Sequence, residues 1–488
     1  MATASDEVIA LLAKSHGRLE LGLDSLAVAA ATALGHRTEG VGLPRVVEIE
    51  ANAVTELSRC QGELALHLTR LRPECAKALA SHKGGLDLNA WGLRSPHNHS
   101  FLRLDLRTAR EIAGIEGELK LWFMDINQFD GDPSDIVKAL AAHSGRLELS
   151  FGIPLSPPMA KHLSTHSDHL MIRLHQPLEE SAADELARHS GVLEVSSVPR
   201  FSRSVVKALA RHQGKSLILR GLTSLDESTA LSLARYSGSL SITDVEAASG
   251  DTIAALSTHR GLLRISSALV RVDTVDHLVR HDGGLEVYGP TSPSLPEEVV
   301  RRLAGYDGYL RIDVRLSDDS AVALKQHEGD LALGDLPASE AAADALLARS
   351  GRLLFPDSAF PRSLAGARLL ASDKTITGVV TSECLVGPDA EAIAAVLARR
   401  RGLLALPNLR YVSVDAIRAL ATKGDARLPP LDSLYIVDDD GRDVSPADLV
   451  SDHFLKMNAE NQPPPKMPKW HSLDRLLKAD AKEKASPK

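Results

Sequence analysis

The chain has 488 residues, of which 44% are hydrophobic, 25% charged and only 3% aromatic, the balance of a foldable chain whose core must be aliphatic. Acids outnumber bases, 64 to 56, for a net charge of −8, which excludes a general nucleic-acid binder with its basic field. Cys60, Cys75 and Cys384 are odd in number and far apart, so they supply neither a disulfide framework nor a zinc spacing. With no basic leader before an apolar run at the N-terminus, and no apolar stretch long enough to span a bilayer, a cytoplasmic protein without a membrane segment is expected.

The first element is a short helix that follows Ser5, carries Leu12 and closes at Gly17; near-copies of it recur to about residue 430. The closing glycines are Gly17, Gly62, Gly84, Gly117, Gly145, Gly191, Gly214, Gly238, Gly261, Gly283, Gly308, Gly329, Gly351 and Gly402, with Asp168 in one slot. Between 168 and 283 the steps are 23, 23, 24, 23 and 22 residues, and degenerate copies near 40, 375 and 425 bring the total to roughly 18 units. Five residues before each glycine stands Leu (Ile112 once), and eight before it a second apolar residue such as Val206, Ile253 or Val300, a helical stripe. Twelve before it stands an N-capping residue: Ser5, Ser156, Ser202, Asp226, Ser249, Ser317, Ser339 or Ser413. A helix of about ten residues is therefore expected to end at the glycine, which would supply a left-handed stop. After the glycine comes an alternating pair such as Leu147 and Leu149, Leu240 and Ile242, or Leu310 and Ile312, the period of a short strand with one buried face.

A period near 23 is too short for paired-helix repeats, and Leu217-Ile218-Leu219-Arg220-Gly221-Leu222-Thr223-Ser224-Leu225 resembles the strand and turn of leucine-rich repeats, of an irregular bacterial type with an LAxHxGxL junction. Apolar residues such as Leu222 stand where that family usually has an asparagine ladder. The resemblance implies an α/β solenoid, with parallel strands on the concave face and short helices on the convex face, over residues 1–429. The segment 430–460 is expected to be a C-terminal cap, and 461–488, with seven bases against three acids, a flexible basic tail.

Two units are long. The step from Gly84 to Gly117 carries a surplus containing Trp91, Arg94, His97, His99 and Phe101; the step from Gly117 to Gly145 contains Trp122, Phe123, Met124 and Phe129. In a chain so poor in aromatics, this cluster points either to a contact surface or to loops that patch an irregular junction. Concave-face positions, read from the strand alternation, are Lys120, Trp122, Glu148, Met171, Arg173, Glu194, Arg220, Arg264, Glu286, Tyr288, Tyr309, Arg311 and Asp313. Their signs alternate, which suits a protein or extended peptide as partner and not nucleic acid. The binding residues expected are Trp91, Arg94, Lys120, Trp122, Glu148, Arg173, Arg264, Tyr288, Tyr309 and Arg311.

Histidine recurs two places before the glycine, at His82, His143, His166, His189, His212, His259, His281 and His327, with Tyr236 and Tyr306 in two other slots. A metal wants ligands converging on one point, whereas a ladder supplies single nitrogens one strand apart. Tyrosine in the same column fits a half-buried hydrogen-bonding role. Gly214-Lys215-Ser216 lacks the earlier glycine of a phosphate loop, and the acidic stretches from Asp125 and Asp438 read as capped turns, not calcium loops. No catalytic or cofactor motif is present. A non-catalytic protein-binding scaffold without cofactors is the expected function; the alternatives are a metal-binding or metal-dependent protein built on the histidines and a structural or self-assembling spacer.

Overall fold

The computed structural model describes residues 6–15, 17–88, 102–197, 201–289, 294–334, 336–337, 339–355, 363–372, 375–376, 384–385, 389–399, 404, 406, 409, 411–421, 435–437 and 443–444. It divides into two compact units, one ending at Arg264 and the other starting at Ile265. In both, strand and helix alternate along the chain as a leucine-rich-repeat-like α/β solenoid.

In the first unit the strands Leu19–Glu20, Val41–Leu43, Leu64–Leu66, Leu86–Asp87, Leu119–Phe123, Leu147–Phe151, His169–Leu174, Val192–Ser197, Ser216–Arg220 and Ser239–Ile242 pair in that order, all parallel. A second small parallel sheet joins Leu104–Asp105 to Phe129–Asp130, inside the two long repeats. In the second unit Leu285–Tyr288, Leu310–Asp313, Leu331–Leu333, Leu353–Leu354 and Thr375–Ile376 pair in parallel. A further sheet there runs Cys384–Leu385, Tyr411–Ser413, Tyr435–Val437 in parallel and then reverses at Asp443–Val444. The strand Leu263–Ser266 straddles the division.

One repeat shows why the sequence folds this way. Ser202 Oγ accepts from the Val205 N–H at 3.3 Å and starts the helix Arg203–Leu209. Val205, Val206, Ala208 and Leu209 are buried, and the strand Ser216–Arg220 buries Leu217 and Leu219 while Arg220 stays exposed. Asp226, Ser249, Ser317 and Ser339 cap their helices in the same way, whereas Ser156 holds the capping position, ahead of Pro157, without a side-chain hydrogen bond. Ser413 Oγ accepts from the Ala416 N–H at 3.2 Å; Ser5 lies outside the described residues.

Two expectations need correction. The helices hold about seven residues and stop at the recurring leucine, as in Arg203–Leu209, five places before the glycine rather than at it. Nor is the glycine a left-handed stop: of the anchor glycines described, Gly17 alone has a positive φ, +84°. The others are small because repeats touch there. A Cβ on Gly214 would stand 2.2 Å from Gly191 O, one on Gly117 2.0 Å from Gly84 O, and one on Gly261 2.2 Å from Gly238 O. In the second unit the same clash is 2.3 Å between Gly329 and Gly308 O. A column of glycines sets the distance at which one repeat rests on the last.

Candidate binding face and the histidine column

The sheet face turned away from the helices is built from two rows of side chains. Register places Lys120, Glu148, Met171, Glu194, Ile218 and Ser241 side by side across the first unit, and Trp122, Ser150, Arg173, Ser196 and Arg220 beside them. The two rows differ in depth. Glu148 and Glu194 are buried, at 5% and 3% exposure, while Arg173 and Arg220 are exposed and Trp122 is half-buried.

Each buried carboxylate is roofed by an arginine from the next strand. Arg173 Nε donates to Glu148 Oε1 at 2.7 Å, and Arg220 Nε to Glu194 Oε1 at 2.5 Å, with His169 Nε2 3.4 Å from the other Glu194 oxygen. Burial pushes the Glu194 carboxyl up, but the hydrogen bonds from His169 and Arg220 outweigh it and hold its pKa at about 2. Lys120 reaches Glu63 and Glu118, both at 3.1 Å; burial lowers its pKa, and these two hydrogen bonds more than reverse that.

In the second unit Glu286, 3% exposed, has a phenolic roof instead. Tyr288 Oη donates to it at 2.9 Å and Tyr309 Oη at 3.3 Å. The Arg311 guanidinium lies 5.2 Å from the Tyr288 ring centre and is bound to Asp313 at 3.0 Å. Tyr288, Tyr309 and Arg311 thus form one cluster. Arg264, half-buried, is the last residue of the first unit, and Trp91 and Arg94 lie outside the described residues, as do His97, His99 and Phe101.

Sequence reading missed that Glu148, Glu194 and Glu286 are buried, because it treats each charge as a lone exposed group. The available signal was the spacing of Glu148 to Arg173 and Glu194 to Arg220, 25 and 26 residues, one repeat plus about two, which puts the cation diagonally across neighbouring strands. Part of the aromatic cluster takes the second of its two expected readings, the patched junction. Phe123, Phe129 and Phe151 are buried and stack at 4.6 and 5.7 Å between ring centres, so these three patch the junction of the long repeats. Asp125 and Asp132 cap the turns there, accepting from the Asn127 and Ser134 N–H groups at 2.9 and 2.8 Å.

The histidine column is buried through, not half-buried: His82, His166, His189 and His259 are at most 1% exposed. In the first unit His143, His166, His189, His212, Tyr236 and His259 stack successively at 5.6 to 6.3 Å; in the second, Tyr306 and His327 stack at 6.5 Å. Several column side chains reach back to carbonyls of the preceding repeat, His82 Nδ1 to Ser58 O at 3.2 Å, His212 Nε2 to Gly191 O at 3.3 Å and Tyr236 Oη to Gly214 O at 2.9 Å, while His281 and His327 meet carbonyls of their own repeat, Gly284 O at 3.2 Å and Asp330 O at 3.4 Å. Arg37 and Arg349 occupy the same column and do the same work. Arg37 donates to Ser15 O at 2.7 Å and Gly17 O at 2.5 Å, and Arg349 to His327 O at 3.0 Å and Gly329 O at 2.5 Å. Burial pushes His166, His212 and His327 down and His189 to about 3. Among the described residues no three His, Cys, Asp or Glu side chains converge as a metal site, and no helix is long and apolar enough to cross a membrane.

No family model and no curated protein matches the chain. Among solved structures it is similar to a leucine-rich-repeat protein of Leptospira interrogans, at 14% identity over 84% of this chain and 89% of that one, with a TM-score of 0.31. It is also similar to an internalin of Listeria monocytogenes, at 13% identity over 62% and 82% with a TM-score of 0.25. A third similarity is to the Toll–Spatzle complex of Drosophila, at 12% identity over 86% of this chain and 56% of that one with a TM-score of 0.24.

Proposed function

We propose that this chain is a non-catalytic scaffold that binds an extended protein segment along the open face of its sheet. The observation that carries the reading is the pairing of depth and charge there: Arg173 and Arg220 stand exposed but are held in place by the buried carboxylates Glu148 and Glu194. A guanidinium already oriented by a buried partner loses little freedom on binding, and arginine and half-buried tryptophan in one row of the face, with Ser150 between them, are the composition of an interface hot spot. Lys120, Trp122, Glu148 and Arg173 make one such patch; Tyr288, Tyr309 and Arg311 make another on the second unit, and Arg264 and the segment with Trp91 and Arg94 are assigned to the same role. The mixed signs favour a protein partner over nucleic acid or a membrane surface. Buried free thiols at Cys60 and Cys75 suit a cytoplasmic setting. Residues 430–460 are assigned as end cap and 461–488 as tail.

Affinity purification tests this, comparing the native chain with a Trp122→Ala, Arg173→Glu double variant whose circular dichroism matches it. A specific protein lost from the variant supports the reading. Partners that persist unchanged contradict it.

A further inference from the structure

The two long repeats leave a cleft of about 800 Å³ in the first unit. Its floor is rigid. Gln128, 3% exposed, spends its whole amide on backbone: Nε2 donates to Leu102 O at 3.2 Å and Trp122 O at 2.8 Å, and Oε1 accepts from the N–H groups of Met124 and Asp125 at 2.5 and 2.9 Å. Above it, Arg70 and Arg103 face each other across a parallel bridge. Directly paired residues of a parallel bridge project on the same side, about 4.8 Å apart at Cα, and like charges so placed repel.

Three arginines and four carboxylates line the cleft, yet the charges are not spent on one another. Arg72 turns out to Glu50 at 3.1 Å, and Asp105 caps the Thr108 N–H at 2.6 Å. Arg70 and Arg103 are exposed and form no ion pair with any described carboxylate, nor do Glu48 and Asp130 on the same walls. Among the described residues, two cations and two anions of the lining are therefore left without ion partners, over a floor tied to backbone. A dianion such as free phosphate meets the surplus of carboxylates, and a polycation meets the arginines. A ligand carrying one carboxylate next to one cation satisfies both.

We propose that this cleft is a second recognition site, for a peptide segment with an acidic side chain next to a basic one. The carboxylate sits between Arg70 and Arg103, where planar guanidinium forks bind it in two-point fashion, and the basic side chain faces Glu48 or Asp130. The site shares no residue with the open sheet face, so either assignment can fail without the other.

The test is fluorescence anisotropy on the full chain with a labelled, end-blocked Gly-Glu-Lys-Gly peptide, set against Gly-Glu-Glu-Gly, Gly-Lys-Lys-Gly and inorganic phosphate. The mixed-charge peptide binds best, and an Arg70→Gln, Arg103→Gln double variant weakens it by about tenfold or more, the loss of at least one charge-assisted hydrogen bond. Arg211→Gln, on the helix side, leaves affinity unchanged. Without peptide, the double variant melts no lower than the native chain, since it relieves a repulsion. Equal or better binding of Gly-Glu-Glu-Gly or phosphate, unchanged affinity in the double variant, no binding of the mixed peptide, or a lowered melting temperature would each overturn the proposal.

Discussion

If the anchor glycines are spacers, a single methyl group should unseat one repeat from the next. In Gly214→Ala the new Cβ would lie 2.2 Å from Gly191 O and 2.6 Å from His212 Nε2. A carbon and an oxygen rest at roughly 3.2 Å or more, so about 1 Å of movement is needed, and a backbone carbonyl has no rotamer through which to yield. That carbonyl also accepts the Lys215 N–H at 3.0 Å and faces His212 Nε2 at 3.3 Å, so moving it loosens two further contacts. Overpacking of this kind costs about 1 to 3 kcal/mol and occasionally more, and the unyielding carbonyl puts this site at the upper end. Gly22→Ala is the control, because its Cβ would meet only Arg45 Cδ at 3.6 Å; it should fall within about 1 kcal/mol of the native chain. Urea unfolding followed by circular dichroism separates the two, with midpoints compared directly because repeat arrays can depart from two-state behaviour. Equal midpoints for Gly214→Ala and the native chain would refute the spacing argument.

The stacked imidazoles predict an acid-labile first unit. Unfolded, a histidine titrates near 6.5, whereas burial holds His189 at about 3 in the fold; the unfolded chain binds the extra proton between those values, so stability is full above pH 6.5 and falls as the pH drops below it. His189 alone should remove about 2 kcal/mol by pH 5, and His189→Phe should flatten the urea midpoint against pH; a midpoint that rises on acidification would contradict the buried column. Tyr236→Phe deletes the hydroxyl that reaches Gly214 O at 2.9 Å and should lower stability by about 1 kcal/mol in the same assay, whereas no change would mean that the column packs without needing its hydrogen bonds.

The repeat was legible because its leucines answer to burial and its serines and aspartates to local capping, both of which are periodic in a single chain. Leu209 and Ser202 could be placed without any knowledge of neighbours. The glycine could not, since a left-handed φ and a close contact leave the same letter, and only the distance from Gly214 to Gly191 O tells them apart. The histidines were legible as a column but not in depth: Arg37 and Arg349 share the column and the task, and an arginine so deeply buried is not foreseen from composition. On the sheet face, Lys120, Trp122, Arg173, Tyr288, Tyr309 and Arg311 follow from strand alternation, but the burial of Glu148 and Glu194 depends on side chains one repeat away. Phe123 and Phe129 could not be assigned between the two readings for a related reason, because aromatics fill an irregular junction as readily as they mark an interface. The pairing of Arg70 with Arg103 crosses a repeat of irregular length, so no fixed period points to it.

The claim that the open sheet face holds a protein partner is tested most directly by position-specific photo-crosslinking. Benzoylphenylalanine would be placed at Trp122 or Ser196, on that face, and at Arg188, exposed on the helix side. A discrete crosslinked protein is expected from the two face positions, the same one for both, and none from Arg188. Adducts from Arg188 alone, or adducts of equal yield and identity from all three positions, would contradict it.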